Sequence, residues 1–115
     1  MNRSDIWLVN LDPTIGAEIR KTRPAIIVSS DQVGLLPLKV IVPLTDWKDR
    51  YTAAPWMVRL DPDAQNQLQK TSAADCFQVR SLSERRMVRK LGTVSDDVMR
   101  KIELGLTRVL ELSND

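Results

Sequence analysis

The sequence predicts a small, mainly β domain of 115 residues that ends in a helix. Three observations predict it. Pro13, Pro24, Pro37, Pro43 and Pro55 cut the first half of the chain into short apolar runs, the punctuation of brief strands joined by turns. Some runs alternate apolar with polar residues and others are unbroken; unbroken runs fit strands covered on both faces, as in a small closed barrel. The tail instead repeats Val98, Ile102, Leu106 and Val109 at helical spacing.

Taken in order, "DIWLVNL" (5–11), "AIIVSS" (25–30) and "LKVIV" (38–42) are the first expected strands. "PWMVRL" (55–60) alternates, with Trp56, Val58 and Leu60 opposite Met57 and Arg59. A helical turn is expected in "DPDAQNQLQK" (61–70), where Asp61 can cap and Pro62 suits the first helical position. "ADCFQVRSL" (74–82) reads as one alternating strand, Phe77 and Val79 facing one way, Gln78 and Arg80 the other. Ser83 opens a single turn in "LSERRM" (82–87). Ser95 caps the final helix, and Asp96 and Asp97 lie where its dipole favours carboxylates. Gly105 falls on the apolar stripe, either weakening the helix or allowing close backbone approach. No repeat or linker divides the chain, so residues 1–115 form one domain.

Composition narrows the chemistry. Histidine is absent and Cys76 is the sole cysteine. That excludes Ser–His and Cys–His nucleophiles, histidine-ligated zinc and histidine-pair ribonuclease chemistry. Cys76 is expected to be a small buried hydrophobe. No apolar run reaches membrane-spanning length and no signal-peptide pattern opens the chain, so the expected location is the cytoplasm. Net charge is only +2, but arginines outnumber lysines 11 to 6 and gather in "RSLSERRMVRK" (80–90) and at Arg20, Lys21 and Arg23. Arginine's planar fork suits phosphate better than a lysine point charge does. Arg85, Arg86, Arg89 and Lys90 are expected to steer a polyanion from the periphery.

The motifs then fall into a familiar order. "DIWLVNLDPTIGAEIRKTRPAIIVSS" carries Asp12, Pro13, Gly16, Glu18, Arg23 and Pro24; "VIVPLT" ends in Pro43 and Thr45; "FQVRSL" holds Gln78, Arg80 and Ser81; "ERRMVRKLGTVSDDVMRKIELGLTRVL" gives a basic turn, a short strand, a glycine and a helix. This ordered set, over nearly the whole chain, resembles the MazF/PemK family of toxin endoribonucleases. The resemblance implies a compact SH3-like antiparallel β-barrel of the PemK/CcdB toxin type with a C-terminal α-helix. It implies a homodimer that cuts single-stranded RNA at short motifs, with no metal and no cofactor, and is blocked by a cognate MazE/PemI-like antitoxin in the RNA groove. It also assigns catalysis to Arg23 and Thr45. The sequence departs from the family at Ser4, where a glycine is common, and at Ile19 and Lys21, where many members have Gln and Gly.

The residues suit that chemistry. RNA carries its own nucleophile, the 2′-hydroxyl, so the protein must chiefly stabilise a phosphorane-like charge. Arg23 can do so bidentately from a backbone fixed by Pro24, and Thr45 adds one hydroxyl. Glu18 is either a general base or an ion-pair partner that orients Arg20 or Arg23. Arg20, Lys21, Gln78, Arg80 and Ser81 are the expected RNA contacts, with Trp47 a stacking platform. Trp7 and Trp56 are expected in the core or a dimer seam. A gyrase-poisoning toxin of the same fold and a non-cleaving SH3-like nucleic-acid-binding adaptor are the rival readings; the first has no need of the Arg23–Thr45 pair or the Glu18 loop, and the second would retain RNA without cutting it.

Overall fold

The chain is organised around one long central strand. In the computed structural model, which describes residues 1–33 and 36–113, this strand is β3 (Leu38–Asp46). Around it lie β1 (Asp5–Asn10), β2 (Thr22–Ile27), β4 (Met57–Leu60), β5 (Ser72–Asp75), β6 (Arg80–Ser83) and β7 (Met87–Thr93), followed by α1 (Asp96–Leu110). All pairings are antiparallel, and the path runs β4-β5-β3-β2-β1-β7 with β6 beside β3.

The unbroken apolar runs are covered on both faces, as their sequence predicts. On one face Ile6, Ile26, Val28, Val42 and Leu44 pack with Val58, Leu60, Met99 and Ile102. On the other, Val9, Leu11, Ala25, Ile27, Ile41 and Leu82 form a second cluster flanked by Trp7, Ile19 and Met87. Successive β2 residues therefore feed alternate clusters, the period-2 geometry of a strand. The capping expectation for α1 holds: Ser95 accepts from Val98 N at 3.2 Å, and Met99, Ile102 and Gly105 are buried. Gly105 is where the helix meets Cys76; a Cβ there would lie 2.8 Å from Sγ. Trp56 packs against the first cluster and Trp7 against the second.

Several expectations need correcting. The barrel is not closed: among the described residues no ladder joins β4 to β7. The gap is covered instead by the 61–71 loop, whose Gln65 carbonyl accepts from Thr93 N at 3.1 Å, and by α1 against β4. That loop holds no helix. Asp63 Oδ1 accepts from Gln65 N and Asn66 N, and the Asn66 amide accepts from Asp63 N and Leu68 N. Side chains thus take the donors that a helix would use, and the chain turns. Arg23 and Pro24 lie inside β2 rather than ahead of it, and β3 continues four residues beyond Val42. The strand expected over 74–82 is split. β5 pairs with the C-terminal half of β3 and β6 with its N-terminal half, but the register advances by three residues between the ladders. The surplus is extruded as a 3-10 turn, Cys76–Gln78. Phe77, expected to share a face with Val79, is 64% exposed as a result. The turn expected from Ser83 is present at Glu84–Arg86, with the serine hydroxyl accepting from Arg85 N.

Asp5 is buried at the start of β1. Burial pushes its carboxyl up, but donors from Asn2 N at 2.9 Å and Trp7 Nε1 at 3.4 Å, with the Lys90 ammonium at 3.4 Å, outweigh this and hold it below its ordinary value of 3.8. Its contribution to stability is therefore complete above about pH 4 and disappears as pH falls through the depressed value. Asp5→Asn should destabilise at pH 7 and converge on the parent protein near pH 2, read from urea unfolding at both pH values.

Two backbone constraints give further expected outcomes. A Cβ on Gly92 would sit 2.6 Å from the carbonyl oxygens of both Gln65 and Asn66. Gly92→Ala should cost about 1–3 kcal/mol, seen as a lowered thermal midpoint. Ser4 and Lys21, two positions where the sequence departs from the family pattern it resembles, have left-handed backbones with φ of 73° and 69°. Ser4→Gly and Lys21→Gly should each hold or raise the urea midpoint, by up to about 1 kcal/mol, as relief of that strain is partly offset by glycine's entropy.

Candidate active site

Two neighbouring prolines shape the site. Pro43 sits opposite Ala25 in the last β2–β3 pair, and Pro24 immediately precedes Ala25 on β2. Neither has an N–H to continue a ladder. Beyond them β3 turns its pairing to β5 through Leu44, Thr45 and Asp46. Arg23 lies two residues past Ala25 and Thr45 two past Pro43, so both leave that last pair in the same direction.

Arg23 and Thr45 line one cavity of about 240 Å3 with Leu8, Pro24, Leu44 and Leu68. Both are half-buried. Lys70 and Arg89 line it too. Arg89 is opposite Leu8, and Leu8 is opposite Pro24, so Arg89 stands two strands from the Arg23–Pro24 step, about 10 Å by strand spacing. Three cations thus border the cavity; Asp46, its carboxylate, is held by Lys70 at 3.0 Å. The balance suits an anion the size of a phosphate with attached apolar groups. Lys70 was not foreseen, and Arg89 was read only as peripheral. Their positions come from long-range pairing, for which no local pattern exists; Arg89's membership of the 80–90 basic run was the one available signal.

Glu18, Gln78 and Arg80 line a second cavity of about 520 Å3 with Pro43, Ile19 and Phe77. Glu18 is exposed and its Oε1 accepts from Ile15 N at 2.8 Å, within its own loop. It forms no ion pair with Arg20 or Arg23 among the described residues. Arg80 donates to Leu11 O at 3.2 Å. Gln78 and Arg80 share this cavity but not a strand face, because Gln78 ends the extruded turn and Arg80 begins β6. Asp75, just ahead of that turn, is buried; desolvation raises its carboxyl pKa despite donors from Phe77 N and Gln78 Nε2.

The remaining expected contacts line neither cavity. Arg20 and Lys21 are exposed on the 12–21 loop, with Lys21 N donating to Asp12 Oδ1 at 3.0 Å. Ser81 is exposed opposite Val40. Trp47 makes an edge contact with Tyr51, its ring lies 5.4 Å from the Arg59 guanidinium, and its Nε1 has no partner among the described residues. Cys76 is sealed in the core beneath Gly105; burial, then the Asp75 charge, pushes its thiol up to about 12, so it is no nucleophile.

Comparison with known proteins is consistent with this picture. The family described as the PemK-like, MazF-like toxin of type II toxin–antitoxin systems matches residues 2–110. The chain is 30% identical to the endoribonuclease MazF9 of Mycobacterium tuberculosis, covering 97% of this chain and 98% of that protein. It is 33% identical to the endoribonuclease PemK of Escherichia coli, over 96% and 82% respectively. MazF from Deinococcus radiodurans shares the fold with a TM-score of 0.80 at 23% identity over 97% of each chain. A mycobacterial endoribonuclease solved with its cognate antitoxin superposes with a TM-score of 0.76 at 21% identity, over 100% and 99%. The family match over residues 2–110 and the near-complete overlap with these relatives place this chain in the PemK/MazF family of type II toxin–antitoxin toxins.

Proposed function

We propose that this toxin is a metal-independent endoribonuclease that cuts single-stranded RNA at short sequence motifs, using the RNA's own 2′-hydroxyl. The observation that carries the reading is the placement of Arg23 and Thr45 on one cavity at the point where β2 and β3 part. The endoribonuclease class itself accords with the named activities of its full-length relatives.

In the proposed step the 2′-oxygen attacks phosphorus and the bond to the 5′-oxygen breaks. A 2′,3′-cyclic phosphate and a 5′-hydroxyl result, with one proton leaving the 2′-hydroxyl and one reaching the 5′-oxygen. Arg23 stabilises the charge that builds on the non-bridging oxygens, and Thr45 hydrogen-bonds the same group. Lys70 and Arg89 hold flanking phosphates. Glu18 belongs to the loop wall on the second cavity rather than to the reacting phosphate.

The same reading includes a homodimer, an SH3-like arrangement with an open seam, a cytoplasmic setting and a MazE/PemI-like antitoxin as protein partner. Solved relatives support the last of these, since MazE–MazF from D. radiodurans has been solved as a complex. No helix among the described residues is long and apolar enough to cross a membrane. A gyrase-poisoning role has no observation in its favour, since it gives the Arg23–Thr45 cavity no purpose.

The test is cleavage of a long single-stranded RNA in excess EDTA with the new ends mapped. Defined cuts bearing cyclic phosphates are expected. Arg23→Ala should slow them by roughly 10²–10³, the usual cost of one transition-state donor, and Thr45→Val by a similar or smaller factor. Intact RNA, or cuts untouched by Arg23→Ala, would overturn the reading.

A further inference from the structure

The Gln78 side chain makes three hydrogen bonds within its own protein. Its Oε1 accepts from Ile19 N at 2.5 Å, and its Nε2 donates to Ala17 O at 3.3 Å and Asp75 Oδ2 at 3.1 Å. One amide therefore joins the extruded turn to a loop about 60 positions earlier in the chain. Both amide hydrogens are committed, so the side chain has no donor left for a base edge, and only the second lone pair of Oε1 remains.

The polarity of the amide is dictated by Asp75. Its Oδ1 is already taken by Phe77 N at 3.0 Å, and an ionised carboxylate only accepts. The Gln78 nitrogen must therefore face Asp75, which turns its oxygen toward Ile19 N. The loop has its own internal ties, Asp12 Oδ1 to Lys21 N and Glu18 Oε1 to Ile15 N. These close the loop on itself, while Arg86 ties its start through Asp12 O and the Ile19 side chain packs on the second core cluster. Gln78 bonds it at 17 and 19, and Ala17, Glu18 and Ile19 form one wall of the 520 Å3 cavity.

We infer that Asp75 and Gln78 act as a positioning clamp that sets the 12–21 loop over the second cavity, and so controls how RNA is bound and which sequence is cut, without taking part in the chemistry at Arg23. This rests on the nuclease reading above, but its structural half does not.

Two measurements test it. The first needs no RNA. Hydrogen exchange at Ile19 N–H should accelerate at least tenfold in Gln78→Ala and in Gln78→Glu, whose carboxylate would face the Asp75 carboxylate and the Ala17 carbonyl. The second is steady-state cleavage of a short RNA containing the preferred site. KM should rise about tenfold or more, with kcat within about threefold, and the cut-site map should broaden. The reversed pair Asp75→Asn/Gln78→Glu restores a donor–acceptor bond between the two positions and leaves a carboxylate oxygen for Ile19 N. It should recover most of the lost protection and bring KM back toward the parent value. Unchanged Ile19 exchange, failure of the reversed pair to recover either quantity, or a loss confined to kcat would overturn the clamp. If the parent protein leaves RNA intact, the nuclease reading and the cleavage half of this inference fall together, while the exchange result still decides whether the clamp exists.

Discussion

The structure depends on one strand having to serve two sheets. β3 pairs along one edge with β2, and along the other with β6 and then β5. A strand in that position must be apolar on both faces, and Ile41, Val42 and Leu44 are almost fully buried. It must also release one neighbour before engaging the next. Pro43 marks that handover, lacking an N–H on the edge of β3 where β6 gives way to β5, while Pro24 lacks one on the edge of β2 that faces β3, where the β2–β3 ladder stops. The cavity bordered by Arg23 and Thr45 lies just past the point where the β2–β3 ladder stops. Pro24 thus borders the opening as well as stiffening the backbone beside it.

Rigidity around the opening comes from burial rather than from salt bridges. Most of the ion pairs join exposed side chains, such as Arg59–Asp61 and Lys101–Asp97, and such pairs contribute little. Asp5 is the exception, being enclosed and supplied with three donors. It anchors the start of β1, which lies between β2 and the Arg89-bearing β7. The two sides of the cavity are therefore tied to one well-packed strand, as a preorganised anion site needs.

What sequence reasoning reached and what it missed divide along physical lines. Signals local in the chain were legible: the Ser95 cap, the helical stripe of α1, the doubly covered runs in β2 and β3, and the Ser83 turn. So was the Arg23–Thr45 pair, through the ordered motifs that resemble the family. Features set by long-range register were not. A strand pattern over 74–82 cannot reveal that β3 is three residues shorter than the segment running beside it. Phe77 therefore turned outward and Gln78 turned toward a distant loop against expectation. Lys70 reached the cavity from a segment whose local pattern favours a helix, because Asp63 and Asn66 captured the backbone donors first. The closed barrel failed for a related reason: alternation specifies strands, but not whether the last one meets the first.

The contact between Gly105 and Cys76 has a practical corollary. The chain's only thiol lies beneath a helix that approaches it too closely for even a methyl group, and it stays protonated throughout the neutral range. The folded protein thus presents a surface silent to thiol reagents. A cysteine placed at an outlying point such as Ile15, which is 84% exposed at the tip of its loop, would be the one reactive handle. A dye or spin label could then be attached there without first stripping out the native residue.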